Sequence, residues 1–335
     1  MKASLLFITY NHAPFIARAI RSAMAQDHPD LELVICEDAS SDSTLAILKD
    51  ELRHCPPHIP VVWASSSETV GLIANFNRGM AACTGDVIIP MSGDDISEPR
   101  RASTLAKVFA DNPRCMLAIS DCMRTDEQDR ILAPSCIHAA SGIHRHGKHP
   151  KKLHPIPTSG ATAAYRSALR DFFGPLSKHP YAEDTCYGLR GFLSGDVHFV
   201  AEPLVQCRAH ETNLCNVRTG RDTPERRRRH LRMLRALLRD ARQWHADIHL
   251  AQAQGMVAPD TGQIVSALAN ELFLQSRLAR HSLTNAPWPV WRETARRLLA
   301  GHPSGRNVRK AARALMMRLS QSSKNRYWRK RFIND

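Results

Sequence analysis
Apolar positions in the first third of the chain alternate between two rhythms. Short unbroken apolar runs at 4–9, 31–36, 60–64 and 86–90 read as buried strands. Between them, apolar residues recur at helical spacing: 13–25 (Phe15, Ala19, Ile20, Ala23), 43–52 with Ser41 or Asp42 as its cap, and 72–82. This alternation predicts an α/β fold with a mostly parallel sheet flanked by helices. Such sheets bind ligands beyond the carboxyl ends of their strands. Here those ends carry "TYNH", "EDASSDS" and "SGDD", so three strands deliver polar, acid-bearing loops to one edge.

The rhythm changes after Pro113. A strand is expected at 116–120, a long loop rich in Pro, His and Lys at 134–157, a helix at 182–192, and two strands at 198–200 and 204–207. From about Thr223 the pattern turns helical. Leu231, Leu234, Leu238, Ala241 and Ile248 share one face, followed by Ile264, Leu268 and Leu272, then Val308, Ala312, Leu315 and Leu319. The expected division is an α/β unit over 1–217, with halves 1–112 and 113–217, and a helical region over 218–335.

Charge sharpens that division. The chain of 335 residues carries a net +14, but residues 218–335 hold +17 and residues 1–217 hold −3. The basic tail therefore suggests an anionic partner, nucleic acid or a phospholipid surface. No apolar run approaches the ~18 residues of a membrane span. The N-terminus meets polar residues too early for a signal peptide. The nine cysteines are scattered without CxxC spacing, which suits reduced thiols in a cytoplasmic protein better than a disulfide frame or zinc site.

Five pieces, "FITYNH", "ICEDASSDST", "GLIANFNRGMAACTGDVIIPMSGDD", "YAEDTCYGLR" and "CRAHETNLC", occur in an order that resembles the family 2 glycosyltransferases with a GT-A fold, including those of bacterial O-antigen and capsule synthesis. The resemblance covers roughly residues 1–215. It implies a nucleotide-binding half at 1–112, an acceptor half at 113–217, a nucleoside diphosphate sugar as donor, a glycan or lipid-linked glycan as acceptor, and Mg2+ or Mn2+ as cofactor.

Residue by residue, Thr9, Tyr10 and Asn11 would form one wall of the nucleotide pocket, with Tyr10 equally suited to packing. Asp38 would contact base or ribose, where the bland alternative is an Asx-turn or helix cap. Asp94 and Asp95 sit side by side after a buried strand, where their repulsion calls for a compensating cation. The family pattern Asp-x-Asp-Asp appears here as Ser92-Gly93-Asp94-Asp95, so the first acid is missing. Asp95 is assigned to the metal and Asp94 to ribose or sugar; the alternative is a solvated turn. Asp184 matches the family's general base, and Glu183 would cap or orient it; acids at a helix start also suit the macrodipole. Arg208 would bind phosphate and His210 the metal. Arg78 would face the donor, and Ser159 and Gly160, in "TSGAT", would line the acceptor side.

Two features fall outside these motifs. His138, His144, His146, His149 and His154 lie in the long loop at irregular spacing, read as a mobile cover rather than a zinc site. The last segment adds Tyr327, Trp328 and Phe332 to an apolar face flanked by basic residues, as an interfacial helix on anionic lipid requires. It suits peripheral attachment to the inner face of the plasma membrane; packing on the catalytic unit or in a homodimer is the competing use. The rival functions are a nucleic-acid- or membrane-binding protein with a catalytically silent α/β unit, and a sugar nucleotidyltransferase. No nucleic-acid reader motif is present, and "TYNHAPF" lacks the Gly-rich basic loop of the latter.

Overall fold
The computed structural model describes residues 1–136, 141–144, 160–178, 180–210, 239–240 and 243–256. The elements run β1 (Ala3–Thr9), α1 (Ile16–Met24), β2 (Leu31–Glu37), α2 (Thr44–Glu51), β3 (Val61–Trp63), α3 (Leu72–Ala82), β4 (Val87–Ser92), β5 (Ile96–Ser97), α4 (Arg101–Asp111), β6 (Cys115–Thr125), β7 (Ile131–Ala133), β8 (Gly142–His144), β9 (Ala163–Arg166), α5 (Ala168–Phe173), α6 (Glu183–Ser194) and β10 (Asp196–Arg208). A further helix, α7, occupies 243–253.

One sheet runs in the order β3-β2-β1-β4-β9-β6-β10-β5, with β7 added on β6 and β8 on β10. The first half is parallel, as the alternation predicts. β9 is spliced in antiparallel between β4 and β6, so β6 and β10 point the same way as β4. β1 and β2 are buried on both faces, which is why they read as continuous apolar runs. Alternate residues separate the two cores. Leu5, Phe7, Leu33, Ile35 and Ile89 meet α1, α2 and α4 on one face. Leu6, Val34 and Ile88 meet α3, α5, α6 and Ile248 and Ala251 of α7 on the other.

Two details depart from the expected elements. The two strands at 198–207 are one 13-residue strand whose register shifts on either side of Pro203. Proline cannot donate to the ladder, so the strand bulges there and its apolar run looks broken. The stretch 134–157 is also not wholly loop, because β8 pairs with β10 inside it. Ser159, the rest of the histidine-rich loop and most of the basic tail, including its interfacial segment, lie outside the described residues.

Candidate functional site
The register fixes which residues meet. Thr9 aligns with Glu37 across β1–β2, and Ile8 with Ser92 across β1–β4, so three strand ends reach one edge together. Arg208 aligns with Thr125 across β10–β6 and arrives at the same edge.

Asp94 and Asp95 lie there, both buried. The Asp95 carboxylate accepts the backbone N–H of Arg208 at 2.9 Å. Asp94 accepts from the Ser92 hydroxyl and from His210 Nε2 at 2.9 Å, with His12 Nε2 at 3.9 Å. Burial works against ionisation of Asp94, but the His210 hydrogen bond, the His12 charge and the Ser92 hydroxyl outweigh it and hold its pKa at about 2. Asp95 goes the other way: burial first, then the Asp94 charge, push its pKa well above the usual carboxylate range. Ser92, standing where the family pattern has an acid, thus serves as a donor to Asp94.

Gly93 accounts for the tightness of this turn. A Cβ there would overlap Thr9 Oγ1 and lie 2.8 Å from His12 Nδ1. Thr9 itself is buried and contacts His12 Nδ1 at 3.1 Å, so it supports His12. Tyr10 is exposed. Asn11, in a left-handed conformation at φ 53°, accepts the Ser41 N–H and donates its own N–H to Ser40 Oγ. It thereby ties the loop after β1 to the loop after β2.

Asp38 is buried, and its two oxygens accept the N–H groups of Val70 and Gly71 at 2.9 and 2.8 Å. It holds the loop before α3 against the end of β2, a long-range contact that is neither an Asx-turn nor a cap of the helix that follows it. Arg78, on α3, donates to the Ala64 carbonyl at 3.5 Å.

The Arg208 side chain is fully buried. It donates to the Asp94 carbonyl at 2.8 Å, pairs with Asp129 and stacks on Phe15 at 4.8 Å. Phe15 also packs on the His210 ring. Asp129, in the turn before β7, bonds Arg18 as well. His12, Phe15 and Asp129 are site residues that sequence reasoning did not single out. His12 sits inside the quoted "FITYNH", but Asp129 lies in a polar turn that carries no motif.

A second acidic group stands at the start of α6. Glu183 is buried and Asp184 partly so. Asp184 accepts the N–H of Gly160 at 3.2 Å and of Thr185 at 2.7 Å. A Cβ on Gly160 would overlap Glu183 Oε1, so a larger residue there would require that carboxylate to shift. Burial, and then the Asp184 charge, push Glu183 up to about 8. Burial raises Asp184 to about 6 against the two N–H donors. Arg101, fully buried at the start of α4, joins the two groups: it donates to the Pro90 carbonyl on β4 at 2.8 Å and to the Ala161 carbonyl beside Gly160 at 2.6 Å.

The Asp94–Asp95 pair fits a hard divalent cation. Among the described residues Asp95 has one backbone donor and no cationic side chain bonded to it, and the repulsion between the two buried carboxylates disappears when a cation binds. Among the described residues no cluster of three or more His, Cys, Asp or Glu forms a metal cage. Mg2+ is commonly held in that way, by one or two carboxylates with substrate phosphates completing the shell. His210 faces Asp94, not Asp95.

Comparison with known proteins gives the arrangement a context. An uncharacterized glycosyltransferase of Nostoc sp. is 33% identical over 109 residues, 32% of this chain and 33% of that protein. The O-antigen biosynthesis protein RfbC of Myxococcus xanthus is 28% identical over 120 residues, 36% of this chain and 9% of that protein. The chain spans about a third of the length of the first curated relatives it matches. Among solved structures, TarS 1–349 of S. aureus in complex with UDP superposes with a TM-score of 0.59 at 15% identity, over 95% of this chain and 83% of that one. The mannosyltransferase PcManGT of Pyrobaculum calidifontis, in complex with GDP-Man and Mn2+, gives 0.51 at 15% identity, over 99% and 83%. These likenesses establish a GT-A fold. The family model for glycosyl transferase family 2 matches residues 4–173, half of the chain, and the protein belongs to that family.

Proposed function
We propose that the protein is an inverting, metal-dependent glycosyltransferase. It moves a sugar from a nucleoside diphosphate donor to a hydroxyl of a glycan acceptor, a lipid-linked intermediate of cell-surface polysaccharide synthesis. The observation that carries this reading is the convergence of two acidic groups, Asp94–Asp95 and Glu183–Asp184, on elements joined by Arg101.

In this reading the exposed Tyr10 ring lies against the nucleoside, and the crosslinked loops after β1 and β2 form its pocket. Asp38 shapes that pocket by fixing the backbone at 70–71. Asp95 holds Mg2+ or Mn2+, which when bound neutralises the diphosphate and eases its departure. Asp94, kept ionised, orients ribose or sugar. Arg208 fixes the 94–95 turn through the Asp94 carbonyl and its own N–H. His210 keeps Asp94 in place.

Asp184 removes the proton from the acceptor hydroxyl as that oxygen attacks the sugar carbon from the side opposite the diphosphate, inverting the configuration. A base with a pKa of about 6 is ionised at neutral pH yet basic enough to share a proton in the transition state. Glu183, at about 8, is protonated at neutral pH and can donate a hydrogen bond to the acceptor. The basic stretch beyond residue 218 supplies an electrostatic contact for an anionic membrane surface that carries the acceptor.

The test is release of nucleoside diphosphate from a panel including UDP-GlcNAc and GDP-Man, with Mn2+ and mixed glycan acceptors. NMR of the product reads its anomeric configuration. Turnover that inverts the anomeric carbon and is lost in Asp184→Asn supports the reading; retention of configuration, or full activity in that variant, contradicts it.

A further inference from the structure
Helix α6 begins without a cap of its own: Ala182 occupies the N-cap and offers no side-chain bond. The turn leading into the helix is held instead by residue 240, in the C-terminal region. Asp240 is fully buried; its Oδ1 accepts the Tyr181 N–H at 2.6 Å and its Oδ2 accepts the Thr185 hydroxyl at 2.9 Å. The same face carries two more buried polar residues. Gln243 accepts the Ser177 N–H at 2.9 Å, and Asp247 pairs at two points with Arg190 of α6. Asp240, with Gln243 and Asp247 of α7, thus meets the segment 177–190 in the loop before α6, at its start and at its middle.

We propose that Asp240 is a positioning residue for Asp184, bracing the turn that carries it through Tyr181 and Thr185 and setting a second negative charge beside it. This rests on Asp184 being the general base. It makes residue 240 and α7 part of the acceptor side.

Physical chemistry supports both halves of the statement. Backbone N–H groups taken out of water need acceptors, and Asp240 supplies one to the residue that leads into α6. The groups facing Asp184 are Glu183 on α6, Tyr165 on β9, the Gly160 N–H, and Asp240 with Arg239 beside it. Asp240 is itself raised to about 6, chiefly by burial. Its charge raises the proton affinity of Asp184, and its geometry keeps the carboxylate aimed.

The experiment is carbon-13 NMR of aspartate carboxyl carbons in the full chain from pH 4 to 9, comparing wild type with Asp240→Asn. The Asp184 signal is assigned by its loss in Asp184→Asn. Asparagine keeps an acceptor oxygen for Tyr181 but removes the charge, so the Asp184 midpoint should fall by roughly half a unit or more. An unmoved midpoint overturns the proposal. The wild type alone gives a second reading: coupled carboxylates each show the other's inflection, and two independent single-step curves overturn the proposal equally. Failure of the underlying reading is seen separately, as undiminished sugar transfer by Asp184→Asn.

Discussion

His210 Nε2 lies 2.9 Å from Asp94 Oδ2, joining residues 116 positions apart at the edge where β4 and β10 end. An ionised carboxylate only accepts, so His210 is the donor, and β10 is thereby latched onto the acidic turn. His210→Ala removes the largest influence holding Asp94 near a pKa of about 2. Binding of the sugar-nucleotide donor should weaken roughly 10- to 100-fold, the equivalent of the ~1.5–3 kcal/mol of a hydrogen bond to a charged group. Calorimetric titration reads this directly.

Asp184→Asn should lower the transfer rate by about 10²- to 10⁴-fold, the usual contribution of a general base, with donor affinity unchanged. In the wild type the rate should rise with pH through about 6 and fall away below it, because only the ionised form accepts the proton. A profile flat from pH 5 to 8 would argue against Asp184 as the base.

Glu183 predicts a stability effect of opposite sign. Its folded pKa of about 8 exceeds its ordinary value of 4.5, so the native state holds a proton that the unfolded chain releases between those values. Stability therefore falls as pH rises across that window. Glu183→Gln removes the penalty: its Tm should match wild type at pH 4 and exceed it at pH 8.

Arg190 is fully buried, paired with Asp247 and stacked on Phe173 and Tyr187 at about 5 Å. Asp247→Ala leaves that charge unpaired, at a cost of about 3–5 kcal/mol. Thermal unfolding should shift down by roughly 10 °C for a domain of this size. The pair Arg190→Met with Asp247→Leu should recover most of that loss.

Gly93→Ala places a methyl group against Thr9 and His12, and overpacking of this kind costs about 1–3 kcal/mol. The same change should weaken diphosphate binding, since the turn that carries Asp94 and Asp95 must move.

The sequence made the parallel core and the acidic edge legible, because strands buried on both faces leave unbroken apolar runs and their loops leave motifs. α3 begins and ends where its spacing places it. Other elements are hidden by single residues. Arg101 occupies the buried face of α4 and disguises its period, while Pro203 divides β10. β9 has four residues, too few to show a rhythm. Asp240, Gln243 and Asp247 carry no motif, although each is buried against a partner within 177–190. Asp38 illustrates the limit for sites: sequence puts it at the correct edge, but only the fold shows both its oxygens engaged by backbone.

The most direct test of the donor site is isothermal titration of the full chain with UDP, GDP, CDP and dTDP, with and without Mn2+, repeated on Asp95→Ala. The expected result is micromolar binding of one diphosphate that weakens when Mn2+ is withheld and when Asp95 is lost. Equal binding with and without Mn2+ in both proteins, or no binding of any diphosphate, would contradict the assignment of Asp94 and Asp95 to a metal–diphosphate site.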